Sequence, residues 1–375
     1  MRRVVALALA LAFAGDAMLG AEFVALPLRA HQLGADKLQL GVVGGGSYLL
    51  YSFLPLFSGR IGDALGRRFP LLLFLLSYPL VLLAYAFLPS LTEVTGVRVM
   101  EGACWALLWP SLEAIVVIEG GSGALKSYNV VWGAGALLGP VLGGFLILVL
   151  GLRDTFLLLS AVPLCFIPFV LLFVERLPRM KGSHADRHER IGILSLLVAF
   201  SFGFALTGFL SYFPVTASRA GFSPGTLGLL ESDLSLWRFL AFALLGTFFG
   251  SKLGRGAFLA LIPSGFLAIT LVAAGPALWP LVVSILGAWS GLAYSAAISK
   301  LFDGATLHGR RAGAFESAIG LGSLLGPVSM GLLSSLFTGG YAPYLAALLP
   351  GVIVSILGAL SLRGNLSVSL RFHPS

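Results

Sequence analysis

Arg98 and Glu101 stand three residues apart in an otherwise apolar run, RVMEGACWALLW, and Glu22 lies in another, MLGAEFVALPL. Spacing of three puts Arg98 and Glu101 on one face of a helix. An arginine in hydrocarbon costs at least ~2.5 kcal/mol unless it faces a polar cavity or a partner, so Arg98 is a functional candidate that requires an acid. Arg98 falls about three residues, and Glu22 about five, from the same end of their runs, so they meet at one depth. Glu22 is therefore placed ahead of Glu101 as the partner. Asp16 lies near the middle of its run, where an ionised carboxylate is costly, and is the first choice for a group that takes up and releases a proton. Glu231 and Arg238 are seven apart and share a helix face, whereas Asp233 points away. Glu113 and Asp233 lie nearer the ends of their runs and read as snorkelling or packing groups. The aromatic residues in these runs, among them Trp105, Trp109, Trp132, Trp237 and Trp289, read mostly as core or lipid-facing side chains, although an aromatic cavity with excess carboxylate suits amphipathic or cationic compounds.

Histidine offers little further chemistry. His31, His184, His188, His308 and His373 fall in loops or at the carboxyl end. His184 and His188 have metal-compatible spacing but no third ligand nearby, and the basic stretch around them reads as solvated. With no metal-ligand cluster or Ser/His pair in the apolar runs, no metal or cofactor is expected, and an enzyme is disfavoured.

The runs that position these residues dominate the chain. Of 375 residues 58% are hydrophobic and 11% charged, with a mean hydropathy of +0.97. A soluble domain carries about 25% charge, so this is a multi-pass integral membrane protein. Twelve stretches are long enough to cross the bilayer: roughly 4–26, 38–57, 69–88, 95–117, 126–149, 155–174, 191–213, 225–249, 257–275, 279–302, 311–337 and 343–362. The amino-terminal run continues past the cleavage-like Ala12-Phe13-Ala14 to Pro27, and reads as span 1 rather than a signal peptide. With both termini inside, inner segments hold eighteen Lys and Arg against four outside (Arg29, Lys37, Arg153, Arg219), which predicts cytoplasmic termini in the cell membrane. The net charge of +8 follows from that topology and from anionic lipid, without nucleic acid. Cys104 and Cys165 read as small core residues.

Slid along itself by 187 residues, the chain matches at Pro27/Pro214, Gly34/Gly221, Gly41/Gly228, Gly59/Gly246, Gly135/Gly322, Gly139-Pro140/Gly326-Pro327 and Gly144/Gly331. Two similar halves are expected: a six-helix bundle over 1–174, a charged cytoplasmic linker over 175–190 and a second six-helix bundle over 191–375. Such a repeat points to bundles facing each other across a midplane substrate site. Under it Glu316 falls on Asn129, so spans 5 and 11 offer matching polar positions.

Between spans 2 and 3 the chain reads Gly59-Arg-Ile-Gly-Asp63-Ala-Leu-Gly66-Arg67-Arg68. This resembles the cytoplasmic signature of the major facilitator superfamily, G-x-x-x-D-x-x-G-R-R/K. Arg98-Val-Met-Glu101-Gly102 is similar to its R-x-x-Q-G signature, with Glu for Gln. Gly135 to Gly144 resembles its G-x-x-x-G-P-x-x-G-G signature, associated with drug/proton antiporters; the second copy keeps Gly326-Pro327 but has Met330 in place of Gly143. The resemblance implies the all-α, 12-helix fold of that family. It also implies that Asp63 docks near span 11 and that Arg67 pairs with an acid near the inner end of span 4, for which Glu119 is placed, latching the outward-open state. Gly250 stands where the second copy needs Asp63, so this latch is one-sided. The expected function is alternating-access, proton-coupled efflux of small organic, drug-like or metabolite molecules by a monomer. Uptake of a sugar, amino acid or organic anion is the rival, and a transporter-like sensor or scaffold the alternative of another class.

Overall fold

Hydrocarbon offers no water to backbone amides, so each apolar run closes its hydrogen bonds internally as helix. The computed structural model describes residues 2–55, 65–174, 190–246, 253–302, 308–364 and 367–369. The observed helices are Arg2–Gln32 (span 1), Lys37–Tyr51 (span 2), Arg68–Phe87 (span 3), Leu91–Leu150 (spans 4 and 5), Leu152–Phe173 (span 6), Ile193–Arg219 (span 7), Pro224–Leu240 (span 8), Arg255–Thr270 (span 9), Trp279–Phe302 (span 10), His308–Leu333 (span 11), and Ala342–Ala346 with Leu348–Gly364 (span 12). Among the described residues ten stretches are long and apolar enough to cross a membrane. The helices of spans 2 and 8 are shorter, at 15 and 17 residues, and span 8 continues into a π-helical turn, Ala241–Gly246.

Local chemistry sets the helix ends. Gly34 and Gly221, matched by the repeat, take φ of +85° and +91° after spans 1 and 7. There Ala35 N–H reaches back to Ala30 O, and Phe222 N–H to Ala217 O, a glycine-terminated helix end at both sites. Asp36 and Gln39 form a capping box at span 2, and Ser223 caps span 8 ahead of Pro224.

Two boundaries and one burial differ from the sequence expectation. No break separates spans 4 and 5: helical backbone runs on over Gly120, Gly121 and Gly123 for 60 residues. A straight helix would put Arg98 ~68 Å from Gly143. Yet Arg98 bonds Glu22 while Gly143 lies against Ala21, so the run folds back and both its arms flank span 1. Arg190, expected to end the linker, belongs instead to a short strand, Arg190–Gly192, antiparallel to Ser367–Ser369; residues 175–189 lie outside the described set. Cys165 is exposed rather than in the core, because it lies on an outer face of span 6, while Cys104 is buried beside Ser77.

Glycines carry the contacts between helices, since a missing Cβ lets backbones touch. A Cβ on Gly135 or Gly139 would fall 2.5 Å from Phe13 O or Ala17 O of span 1. On Gly322 or Gly326 it would fall 2.1 or 2.5 Å from Phe200 O or Phe204 O of span 7. Those partners are themselves 187 residues apart. Where Gly143 becomes Met330, its neighbour Ala21 becomes Gly208, which makes room for the longer side chain.

A second set of glycines joins spans 1–6 to spans 7–12. A Cβ on Gly41 would sit 2.2 Å from Pro327 O, and one on Gly228 2.2 Å from Pro140 O. For Gly144 the obstacle is Pro224 O at 2.3 Å, and for Gly331 it is Lys37 O at 2.6 Å. These contacts build two seams, span 2 on span 11 and span 8 on span 5, related by the repeat. They run down to Ser52 against Gly320 and Phe239 against Gly133. The seams close the end of the molecule that carries loops 33–36 and 220–223, the end expected to face outward.

Candidate functional site

Span 1 presents Glu22 toward Arg98 and Glu101 on the first arm of Leu91–Leu150, and the three are buried at 1%, 2% and 0% exposure. Arg98 Nη1 bonds Glu22 Oε1 and lies 2.6 Å from Glu101 Oε2. Tyr78 of span 3 donates to Glu22 Oε2 at 2.9 Å, Tyr85 to Glu101 Oε2 at 2.5 Å and Trp105 Nε1 to Glu101 Oε1 at 2.7 Å. Arg98 Nε donates to Val43 O of span 2 at 3.2 Å. All four carboxylate oxygens are thereby satisfied, as burial requires. The sequence expectation placed Glu22 ahead of Glu101, and the structure gives Arg98 both. Two acids share one base, so one can hold a proton while the other keeps the arginine paired. A small cavity lined by Glu22, Val43, Gly44, Arg98, Leu210 and Ser211 places this cluster at the boundary with span 7.

The remaining intramembrane charges divide into three groups. Asp16 is buried beside Gly135, its Oδ2 without a hydrogen-bond partner among the described residues, and the charge in its range is Arg238. Arg238 also lies 5.9 Å from the Trp132 ring, so it faces the opposite bundle rather than Glu231. Glu231 is at 1% exposure with both carboxylate oxygens unpartnered among the described residues. Glu113 and Glu316 are exposed, yet come from opposite halves and lie within electrostatic range of each other and of Tyr51, Tyr128 and Tyr294. Both stand toward the end opposite the seams, so Glu113, read from sequence as a snorkelling or packing group, lies within range of an acid of the other half. Asp233 accepts from Ser284 Oγ at 2.6 Å, a bond between spans 8 and 10.

Gly59 and Asp63 of the loop signature lie outside the described residues. Gly66 takes φ of +84° in the turn, Arg67 is buried, Arg68 opens span 3, and Glu119 lies in the folded-back stretch of Leu91–Leu150. Asn129 is helical, with its side chain outside the described set. Of the helix 5 signature, Gly135, Gly139 and Gly143 face span 1, Gly144 faces span 8, and Pro140 turns its ring to Gly20 of span 1 and its carbonyl to span 8; the Pro327 carbonyl takes the matching place against span 2, and Gly326 faces span 7.

Sequence reasoning missed Tyr78, Tyr85 and Tyr212. The only signal was a hydroxyl in an apolar run, which must find an acceptor when buried. Tyr212 of span 7 does so between the halves, its hydroxyl 2.8 Å from Lys37 O and 2.7 Å from Pro327 O.

Residues 5–308 match the family profile described as the Major Facilitator Superfamily. The multidrug resistance protein MdtG of Dickeya zeae (strain Ech586) is 29% identical over 180 residues, 45% of this chain and 44% of that protein. The multidrug efflux pump LfrA of Mycolicibacterium smegmatis is 31% identical over 176 residues, 45% of this chain and 34% of that one. The chain thus matches less than half the length of these curated relatives. Among solved structures, the nucleoside transporter NupG superposes with a TM-score of 0.76 at 13% identity, covering 96% of this chain and 99% of that one. A bacterial homolog of the human lysosomal transporter Spinster, inward-facing and unoccupied, gives 0.73 at 16% identity over 95% of each. At these identities the likeness is one of fold.

Proposed function

The chain belongs to the major facilitator superfamily, and on that premise we propose that it is a proton-coupled exporter of small organic cations and amphiphiles. One observation carries the reading: Glu113 and Glu316, one from each half, are exposed side chains within electrostatic range of each other and of three tyrosines. Carboxylates with aromatic faces favour a cation bearing apolar groups. The multidrug relatives and the Gly135–Gly144 signature support the export direction. In this reading 1–174 and 191–375 rock as two bundles about the site, the seams are the outer gate, both termini are cytoplasmic, and a single chain is the working unit. The function is transport without covalent chemistry. Asp16 carries the coupled proton, because its carboxyl is buried near midplane and shares its field with Arg238 across the bundle interface.

The test is counterflow and pH-driven accumulation of a lipophilic monocation in proteoliposomes. Glu113→Gln and Glu316→Gln should each raise the KM for the cation while leaving transport of a neutral amphiphile unchanged. Asp16→Asn should abolish accumulation driven by a pH gradient while sparing exchange at equal pH. Transport of neutral compounds only, or full pH-driven accumulation by Asp16→Asn, would remove the respective part of the proposal.

A further inference from the structure

The two outer seams share a backbone plan but differ in one dipeptide. One turn below Gly228, where span 8 meets Pro140, stand Glu231 and Ser232. Their mates at the 187-residue offset are Gly44 and Gly45 of span 2, the first against span 7 and the second against span 11 beside the other seam. Gly44 and Gly45 are filled by their surroundings: a Cβ would fall 1.9 Å from Ser211 Oγ at the first and 2.7 Å from Leu324 O at the second. Glu231 Oε1, Glu231 Oε2 and Ser232 Oγ are instead all buried without a hydrogen-bond partner among the described residues.

Glu231 differs from the other acids in having no cation or donor beside it among the described residues. Glu22 and Glu101 share Arg98, Asp16 has Arg238, Asp233 accepts from Ser284, and Glu113 and Glu316 are exposed. Spans 1, 5, 7 and 10 pack against span 8. Arg219 at the end of span 7 and Lys300 near the end of span 10 stand at opposite ends of the molecule, the latter over Phe258. The titratable group in range of Glu231 is Tyr344, whose hydroxyl donates to Thr216. An ionised carboxylate with neither cation nor donor is not stable when buried, and the neutral acid is the form that closure tolerates.

We propose that Glu231 is a proton lock on the outer gate: the seam between spans 5 and 8 closes only over the protonated carboxyl. When the seam is open, Glu231 meets external water as a carboxylate. Closing then takes one proton from outside onto a carboxylate oxygen, making the neutral acid. The twin seam, with Gly44 and Gly45, closes without a proton. This rests on the alternating-access reading and on the seams facing outward, but not on any substrate.

The test therefore uses no substrate. In a background with Cys104→Ser and Cys165→Ser, a cysteine is placed at Leu227 or at its mate Leu40, both buried near the closed end. Gly340→Cys, at an exposed loop, corrects for the pH dependence of thiol reactivity. An impermeant thiol reagent is applied to membrane vesicles from each face separately over a pH series, so that a reversed orientation declares itself and the pH response is read on the labelled face. A gate linked to one proton changes its open-to-closed ratio by at most about tenfold per pH unit. Corrected labelling of Leu227→Cys and Leu40→Cys should rise with pH in the parent. It should become low and flat with Glu231→Gln, and with Glu231→Leu if the Gln variant does not accumulate. Asp233→Asn should leave the slope in place. A flat parent profile, or a slope that survives removal of the Glu231 carboxyl, overturns the proposal.

Discussion

The two halves share one scaffold but hold opposite chemistry at the centre of each bundle. A Cβ on Gly102 of span 4 would fall 1.8 Å from Ser47 O, and one on Gly287 of span 10 would fall 2.3 Å from Leu234 O, the mate of Ser47. That equivalence matches Arg98 with Val283 and Glu101 with Leu286, while the 187-residue offset matches Glu22 with Phe209. The first half thus buries Arg98 between two acids where the second buries Val283, Leu286 and Phe209. Phe209 stacks on Phe213 with ring centroids 4.5 Å apart. Packing alone supports one bundle, so the ionic cluster is not needed to hold this architecture. A buried ion triad is weak evidence for stability, because desolvation offsets its Coulombic gain. Its presence in one half only is what a functional, rather than structural, group would show.

The largest effect should come from breaking the cluster unevenly. Arg98→Met leaves two buried carboxylates without their cation and should destabilise the protein by about 3–5 kcal/mol, read as thermal unfolding in detergent. Transplanting the other half's solution is the sharper experiment: Glu22→Phe, Arg98→Val and Glu101→Leu, together with Tyr78→Phe, Tyr85→Phe and Trp105→Phe, so that no donor to the cluster is left unpaired. This variant should be as stable as the parent, or more stable by about 1–4 kcal/mol, and inactive in transport. An active transplant would make the cluster a structural relic.

The seams offer the converse comparison, because there the halves agree. Gly41→Ala and Gly228→Ala each drive a Cβ into a proline carbonyl, an overpacking of about 1–3 kcal/mol against the closed seams. Both should raise outward accessibility of a cysteine at Leu227 by comparable factors, about 5- to 150-fold. Effects that differ tenfold between the two would show that the seams do not open together. Smaller still is Tyr212→Phe, which removes the hydroxyl between Lys37 O and Pro327 O at a cost of about 1 kcal/mol, with outer labelling rising severalfold. Its mate is Ala25, so only one seam has this pin. Cys165→Ser, on an exposed face, should stay within about 0.5 kcal/mol of the parent in thermal unfolding.

Twelve spans, the tandem repeat, the Arg98–Glu22 pairing and the glycine faces were legible because each follows from a local rule: hydropathy over a bilayer width, spacing on a helix, or the cost of an unpaired charge in hydrocarbon. What lay beyond reach was which helix a residue faces. Gly144 belongs to the same signature as Gly135 and Gly139, yet only the packed structure sends the first to the opposite half and the other two to span 1. The nearness of Glu113 to Glu316 was likewise out of reach, since sequence depth carries no information on rotation about the helix axis.

The repeat itself shows the same division between sequence and tertiary structure. Sequence determined the membrane class and the 187-residue offset, because small residues at close contacts tolerate no substitute and leave a countable trace. Tertiary structure decided that spans 4 and 10 are displaced from that offset by two residues: Gly102 and Gly287 are 185 apart, although Ser47 and Leu234, which they touch, are 187 apart. A loop upstream absorbs such a slip at little cost, so composition does not record it. Only the contact between backbones reveals which side chains stand in for Arg98 and Glu101, and it does so because close approach is a property of two helices together rather than of either one alone.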